Sequence, residues 1–366
     1  MSKIRDMFPG GNTCYGFYSY YDYIVPGCPE EKIVLKGGPG VGKSTLMKNL
    51  AKECSKQGFD IEYHWCSSDN NSLDAIVVGS NKQVCILDGT APHVVDPRYP
   101  GAVDRIINLG EFWNNQIIRA NREEVIKLSN EISHLFNQAY SRLKEAKLAY
   151  EDWKSHYQET ADARAINRNI LELTGELFRN APVSNRPPRH LFAAAITPEG
   201  IVNKANSLVP KDYAIFAVKG FPGTGAGTLF DYALQQATMR GVYVEVFHNP
   251  FDPRELDLLV FPDIGTVLVD ISVNIVDYAQ QLPTSKYKRL LDFNQFINKS
   301  LIDGRIKYIH SAISRFEEGL KDAIACIQLA KKQHDELEAN YIPAMDFERI
   351  TVCRNELFQQ IVEKAQ

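Results

Sequence analysis

The chain has neither a charge excess of one sign nor a long apolar run. Its 41 Lys and Arg stand against 45 Asp and Glu, a formal net charge of −4 over 366 residues. Without a basic field, a general nucleic-acid-binding role has no compositional support. No uninterrupted apolar stretch approaches the roughly 20 residues that cross a bilayer, so no membrane association is expected. The opening Met-Ser-Lys-Ile-Arg-Asp has no apolar segment behind it, and no secretory signal is expected. The seven cysteines (Cys14, Cys28, Cys54, Cys66, Cys85, Cys326, Cys353) contain no C-x-x-C pair. An odd, scattered set fits reduced thiols in a cytoplasmic protein, and it assigns none of them to a metal. What remains is ordinary globular composition, 44% hydrophobic and 23% charged. The length suggests about two domains.

One stretch carries chemistry. An apolar run, Ile33-Val34-Leu35, leads through Lys36 into Gly37-Gly38-Pro39-Gly40-Val41-Gly42-Lys43-Ser44, followed by Thr45-Leu46. Gly37 to Ser44 satisfies G-x-x-x-x-G-K-[ST] without a mismatch. In that motif glycines let successive backbone N–H groups curl around a di- or triphosphate. The lysine reaches the β/γ-phosphates and the serine hydroxyl ligates Mg²⁺. A helix beginning at Lys43 adds the positive end of its dipole. A chance match in a glycine-rich turn is the alternative. The strand before the loop and the amphipathic helix after it argue against chance.

The same pattern recurs. Lys36 to Leu46 is matched by Lys219-Gly220-Phe221-Pro222-Gly223-Thr224-Gly225-Ala226-Gly227-Thr228-Leu229, at an offset of 183 residues. That offset also relates Asp69 to Asp252, Leu73 to Leu256 and Asp74 to Asp257. One deletion later, Val84–Asp88 matches Thr266–Asp270. Two copies of one domain are expected, 1–183 and 184–366, with a break near Pro182–Arg189 where Asn185-Arg186-Pro187-Pro188 interrupts regular structure. In copy one, strands are expected at 32–36, 61–66 and 84–88, a helix to about 57 and a short element at 74–79. In copy two, strands are expected at 213–218, 242–247, 256–261 and 266–270, with a helix at 228–240. Short apolar strands alternating with helices indicate an α/β fold with mostly parallel sheets. After its last strand each copy becomes helical, with an apolar stripe at spacings of three and four: Leu128 to Tyr157 in copy one, Ile306 to Tyr341 in copy two. Each copy is expected to be followed by a coiled-coil-like helical hairpin packed inside its own protomer, where copy-to-copy packing would suffice to bury the stripe. The rival expectation is an arm for a homodimer or a partner protein.

Asp88 ends a buried apolar strand, the place of a second Mg²⁺ ligand beside Ser44; the alternative is an Asp that only starts the Asp88-Gly89 turn. Gly89 follows and offers no side chain to orient water. With Lys43, the catalytic candidates are therefore Asp69 and Asp74, which follow the second strand. Their alternative role is to cap the turn at 67–72 or the next helix. Downstream, His93 is a candidate γ-phosphate sensor and Arg98 a candidate for neutralising developing charge, each with ordinary surface as the alternative. Lys36 and Lys219, in equivalent places, suggest strand-end ion pairs.

Copy two keeps the glycines and Asp270 but has Ala226 for the lysine and Gly227 for the serine. It is expected to be a pseudo-domain that supports or regulates copy one, senses a ligand at its remaining amide nest, or supplies Arg254 or Lys219 in trans. The residues quoted resemble the P-loop nucleoside triphosphate hydrolases. The duplicated chain with one intact and one degenerate loop resembles a little-characterised bacterial family described as ATPase or nucleotide-kinase-like. The resemblance implies two tandem P-loop domains, ATP binding and Mg²⁺. It leaves open slow ATP hydrolysis, phosphoryl transfer to a small acceptor, or a nucleotide-gated interaction protein. The absence of an N-K-x-D motif leans towards ATP over GTP.

Overall fold

A computed structural model describes residues 2–25, 27–91, 93–184, 186–282 and 287–365; Asn185, within the expected break, and Pro92 lie outside them. The first half contains β1 (Ile4–Met7), β2 (Gly10–Thr13), β3 (Gly16–Ser19), β4 (Glu31–Lys36), α1 (Lys43–Lys56), β5 (Ile61–Trp65), β6 (Leu73–Val78), β7 (Val84–Asp88), β8 (Asp104–Asn108), α2 (Asn115–Ala120), α3 (Arg122–Gln158) and α4 (Ala163–Leu177). The second half repeats this order: β9 (Arg189–Phe192), β10 (Ala194–Thr197), β11 (Gly200–Asn203), α5 (Ala205–Leu208), β12 (Ala214–Lys219), α6 (Ala226–Arg240), β13 (Glu245–His248), β14 (Leu256–Phe261), β15 (Thr266–Asp270), β16 (Tyr287–Asp292), α7 (Lys299–Asp303), α8 (Ile306–Tyr341) and α9 (Phe347–Ala365).

The protein is mixed α/β, built on two six-stranded sheets with one strand order. The first runs β1-β5-β6-β7-β4-β8 and the second, from its corresponding edge, β9-β13-β14-β15-β12-β16. In each sheet one strand, β6 or β14, is antiparallel to both its neighbours, and the other pairings are parallel. The runs Ile33-Val34-Leu35 and Ile215-Phe216-Ala217-Val218 are fully buried, as central strands covered on both faces require.

The halves meet about a local two-fold relation. Phe8 and Phe192 exchange backbone hydrogen bonds of 2.9 and 3.0 Å. Beside them Arg5 bonds Glu245 at 2.5 and 2.9 Å, while Arg189 bonds Glu62 at 2.6 and 3.0 Å. Each arginine thus pairs with the glutamate of the other half. Arg189 and Arg5 hold the Glu62 carboxyl well below its ordinary range against the opposing effect of burial.

The long helices bury their stripes by the copy-to-copy packing expected within the protomer, in one hairpin shared by the two copies and not in one hairpin per copy. α3 and α8 pack against each other, antiparallel: Asp152 pairs with Arg315, Glu159 with Arg305, and Ala146 lies against Gly319. Their stripes bury one another, with Leu143, Ala146, Tyr150 and Trp153 meeting Ile309, Phe316, Ala323 and Ile327. The stripe therefore has its partner within the chain, which removes the apolar face on which the arm reading rested. The shorter helices cross over. Ile166, Ile170, Leu173 and Leu177 of α4 enter the core of the second sheet, and Ile350, Leu357 and Ile361 of α9 enter that of the first. Matching backbone bonds guide both crossings, Asp162 N–H to Phe296 O at 2.9 Å and Asp346 N–H to Phe112 O at 2.8 Å. The repeats are thus units of sequence whose cores are completed by one another. Among the described residues, no helix is long and apolar enough to cross a membrane.

Candidate functional site

The Gly37–Ser44 loop leaves the C-terminal end of β4, between β7 and β8. Open α/β sheets place ligands in this crevice. Gly40 and Gly42 have φ of +69° and +86°, the left-handed conformation that glycine adopts without strain. Gly42 is the residue before α1, so the first amides of the helix face the loop. Lys43 folds back on the loop: its Nζ donates to the carbonyls of Gly37 and Gly38 at 2.8 and 2.9 Å and lies 3.4 Å from Asp88 Oδ2. Asp88 ends β7 and accepts from Thr90 N–H at 2.9 Å, so it starts the following turn as well as facing Lys43. The Ser44 hydroxyl accepts from Leu73 N–H at 3.0 Å, tying α1 to the start of β6.

The other sequence candidates separate. Asp69 builds a turn: it accepts from Asn71 N–H at 3.0 Å and Ser72 Oγ–H at 2.8 Å, and pairs with Lys331 of α8 at 3.5 Å. Its counterpart Asp252 caps Arg254 N–H and pairs with Lys147 of α3 at 2.5 Å. The recurrence of this Asp therefore has a structural cause, the anchoring of each sheet to the long helix of the other half. Asp74 is different. It is buried on β6, and burial pushes its carboxyl above the ordinary range. His93 Nε2 stands 3.8 Å from it. Arg98 is exposed and lies over the Tyr99 ring. Lys36 donates to the carbonyls of Gly89 and Val95 and pairs with Asp96 at 3.3 Å, while Lys219 pairs with Asp292 at 3.0 Å. Gly89 has a steric reason to lack a side chain: a Cβ there would lie 2.3 Å from Val34 Cγ1 and 3.0 Å from Val95 O.

Two residues that sequence reasoning missed cover the loop. They come from the end of α8, in the other half. Glu338 Oε1 accepts from Gly40 N–H at 3.2 Å, and a Cβ on Gly38 would lie 2.9 Å from the Tyr341 ring. Their sequence distance from the loop hides them; the only available signal was the end of an apolar stripe. Neither of the suggested trans residues is in this position: Lys219 holds Asp292, and Arg254 lies over Tyr15.

No family model, curated protein or solved structure matches this chain. A functional reading therefore rests on its own residues.

The second loop supplies the internal reference. Gly220–Thr228 borders a cavity of about 430 Å³ that also reaches Lys154, Glu255, Asp257, Asp270 and Tyr278. Lys154, at the end of α3, pairs with Glu255, and Tyr157 stacks on Phe221 with ring centroids 4.6 Å apart. Asp270 has alanine where Asp88 has Lys43. Burial lifts its carboxyl to about 6, and burial with the neighbouring Asp270 charge lifts Asp257 to about 8.

Proposed function

We propose that the Gly37–Ser44 loop is the phosphate cradle of a P-loop nucleoside triphosphate-binding domain, that its ligand is ATP with Mg²⁺, and that the second half is a degenerate copy with a supporting or regulatory role. The observation that carries this reading is the complete motif at the end of central strand β4 with Asp88 ending the adjacent strand, 3.4 Å from Lys43. Amides of the loop and Lys43 would hold the phosphates. A hydroxyl from Ser44 and a carboxylate from Asp88 are the hard oxygen donors that Mg²⁺ takes, and the ion would offset phosphate charge. Thr45, next along α1, extends the cradle.

Slow hydrolysis is the favoured reaction, because the crowding around Gly89 leaves no room for a water-orienting Glu at that position. With Asp69 committed to its turn, Asp74 is the remaining acid from the sequence reading to orient water. A phosphotransferase is the second reading, favoured by the burial of Asp74 beside His93, an arrangement suited to a general base. Nucleotide-gated interaction is the third, favoured by the contact of Glu338 with the loop.

Equilibrium nucleotide binding and product stoichiometry separate these readings. For wild type, Mg²⁺-dependent ATP binding with acceptor-independent phosphate release indicates an ATPase; ADP formation only with an acceptor indicates a kinase. Lys43→Ala should weaken binding by at least about tenfold, as loss of a charge-assisted contact of about 1.5–3 kcal/mol implies. Unchanged ATP affinity in that variant would overturn the proposal. The measurement belongs on the full chain, since 184–366 alone lacks α4, which completes its core.

A further inference from the structure

Beside the loop, the first half gathers a mixed sulfur, oxygen and nitrogen donor set. Cys66 just after β5, Asp74 on β6 and His93 after β7 each place one ligand atom within 4.8 Å of the others. The side chains of Asp74 and His93 are 6% and 8% exposed. Asp74 Oδ2 and His93 Nδ1 are both buried and meet no hydrogen-bond partner within 3.5 Å, and the buried Tyr21 hydroxyl and the Cys66 thiol face the Asp74 carboxyl from beyond that distance. Leaving such atoms unpaired costs about 1–3 kcal/mol each, so a site that keeps them together needs a reason. The imidazole is also held in place: Tyr21 stacks on it at 4.8 Å and Phe17 packs at 4.7 Å. Cys66 is fixed by its N–H bond to Ser72 O at 3.0 Å, across the turn that Asp69 builds.

The second half shows what the same backbone does when this constellation is lost. Asn249 corresponds to Cys66 and Asp257 to Asp74 at the 183-residue offset, and Ile275 follows Asp270 by the spacing with which His93 follows Asp88. There Asn249 Nδ2 donates to both oxygens of Asp257, at 3.0 and 3.3 Å, and the Tyr278 hydroxyl donates at 3.2 Å. The buried carboxyl is satisfied from within. In the first half the equivalent carboxyl faces the Tyr21 hydroxyl with a thiol and an imidazole in place of the amide.

We propose that Cys66, Asp74 and His93 bind a zinc-type divalent cation with a fourth position left open. Thiolate, imidazole and carboxylate together suit zinc, whereas Mg²⁺ and Ca²⁺ take oxygen donors. Zinc bonds of about 2.0–2.3 Å in a tetrahedron put ligand atoms roughly 3.3–3.7 Å apart, so the three groups close by about 1 Å around the ion. The cation would draw the proton from the Cys66 thiol, reversing the upward push that burial gives it. Two other acidic clusters, His334–Asp335–Glu338 and Glu151–Asp252–Glu255, lie in more open places and are already paired with Lys331, Lys147 and Lys154.

The test uses full-length, metal-stripped protein without nucleotide, so that it stands or falls apart from the ATP reading. Zinc is titrated against a chromophoric chelator, cobalt is followed by its absorption, and Cys66 alkylation by iodoacetamide is mapped with and without zinc. The expected result is one equivalent bound, a thiolate-to-cobalt charge-transfer band, and protection of Cys66 in the wild-type protein. Cys66→Ser, Asp74→Asn and His93→Gln should each weaken binding at least about tenfold, while His334→Ala leaves it unchanged. Absence of stoichiometric binding, a cobalt spectrum without the thiolate band, or equal alkylation of Cys66 with and without zinc would overturn the proposal. A bound metal at Asp74 would also take up the acid that both the hydrolysis and the phosphotransferase readings use, leaving the phosphate cradle untouched.

Discussion

The two halves share one strand order and differ in the charges gathered at their loops. The first loop bears Lys43, close to Asp88, and is covered by Glu338. The second has Ala226 instead, leaving the buried Asp257 and the half-buried Asp270 without that cation, and the helix end beside it presents Lys154. Each loop is thus met by a side chain of the sign it lacks, brought by the long helix of the other half. The second loop borders a cavity and has Ala226 and Gly227 where the first has Lys43 and Ser44. Because α4 and α9 are exchanged, neither half can drift far without disturbing the core of the other.

The sharpest way to break this correspondence is at the seam where it is most nearly symmetric. Arg5 and Arg189 occupy equivalent positions, yet the Arg189 side chain is 3% exposed and that of Arg5 20%. Arg189→Ala would leave Glu62 buried with only one of its two arginine partners and open the Ile24 and Tyr23 carbonyls that Arg189 also satisfies. A loss of about 3–5 kcal/mol is expected, the usual cost of removing one partner from a buried ion pair. Arg5→Ala should cost less, because water reaches its place. Denaturation midpoints of the two variants check this, and equal losses would show the seam to be energetically symmetric.

A second difference titrates. The folded-state pKa of Asp257, about 8, lies above its unfolded value near 3.8. The native state therefore holds its proton more tightly. That contribution is fully present below about pH 4 and is lost as pH rises from there towards 8. Asp257→Asn keeps a neutral group at all pH, so the variant should gain on wild type as pH rises from 5 to 9, by up to a few kcal/mol. Thermal unfolding across that range measures the gap. Parallel curves for the two proteins would mean that another group neutralises Asp257.

The sequence reading succeeded where local chemistry and local periodicity coincide. Strands at 84–88, 256–261 and 266–270 were legible as apolar runs ended by charged or turn residues. The four-residue strands β1 and β9 and the hairpins β2–β3 and β10–β11 were missed, since so short a segment shows no period. An amphipathic stripe says that a helix is buried, and two stripes of equal length allow the copy-to-copy packing of α3 with α8, but nothing in them shows the exchange of α4 and α9. Cys66 was set aside because no motif spacing links it to Asp74 and His93; three separate strand ends bring them together. Asp69 and Asp74 looked alike in sequence, and only burial and partners distinguish a turn cap from a buried acid.

The smallest expected effect tests the covering contact itself. Glu338 places a carboxylate on the Gly40 amide, one of the donors that the cradle reading gives to phosphate, and a negative side chain beside that amide opposes an incoming anion. Glu338→Gln keeps the size and an acceptor while removing the charge. The side chain is one-third exposed, so solvent screens it and the gain in affinity for a nucleoside triphosphate should be modest, about two- to fivefold or under 1 kcal/mol. The gain should shrink as salt is raised, because the interaction is screened. Neutralising Lys154 in the other half (Lys154→Gln) should leave that affinity unchanged, since its partner Glu255 lies on the second cavity. Nucleotide titrations at low and high salt distinguish the cases: shifts of similar size and opposite direction from the two substitutions would mean that the coiled coil acts through its overall charge, and a shift from Glu338→Gln alone that each helix end answers to the one loop it covers.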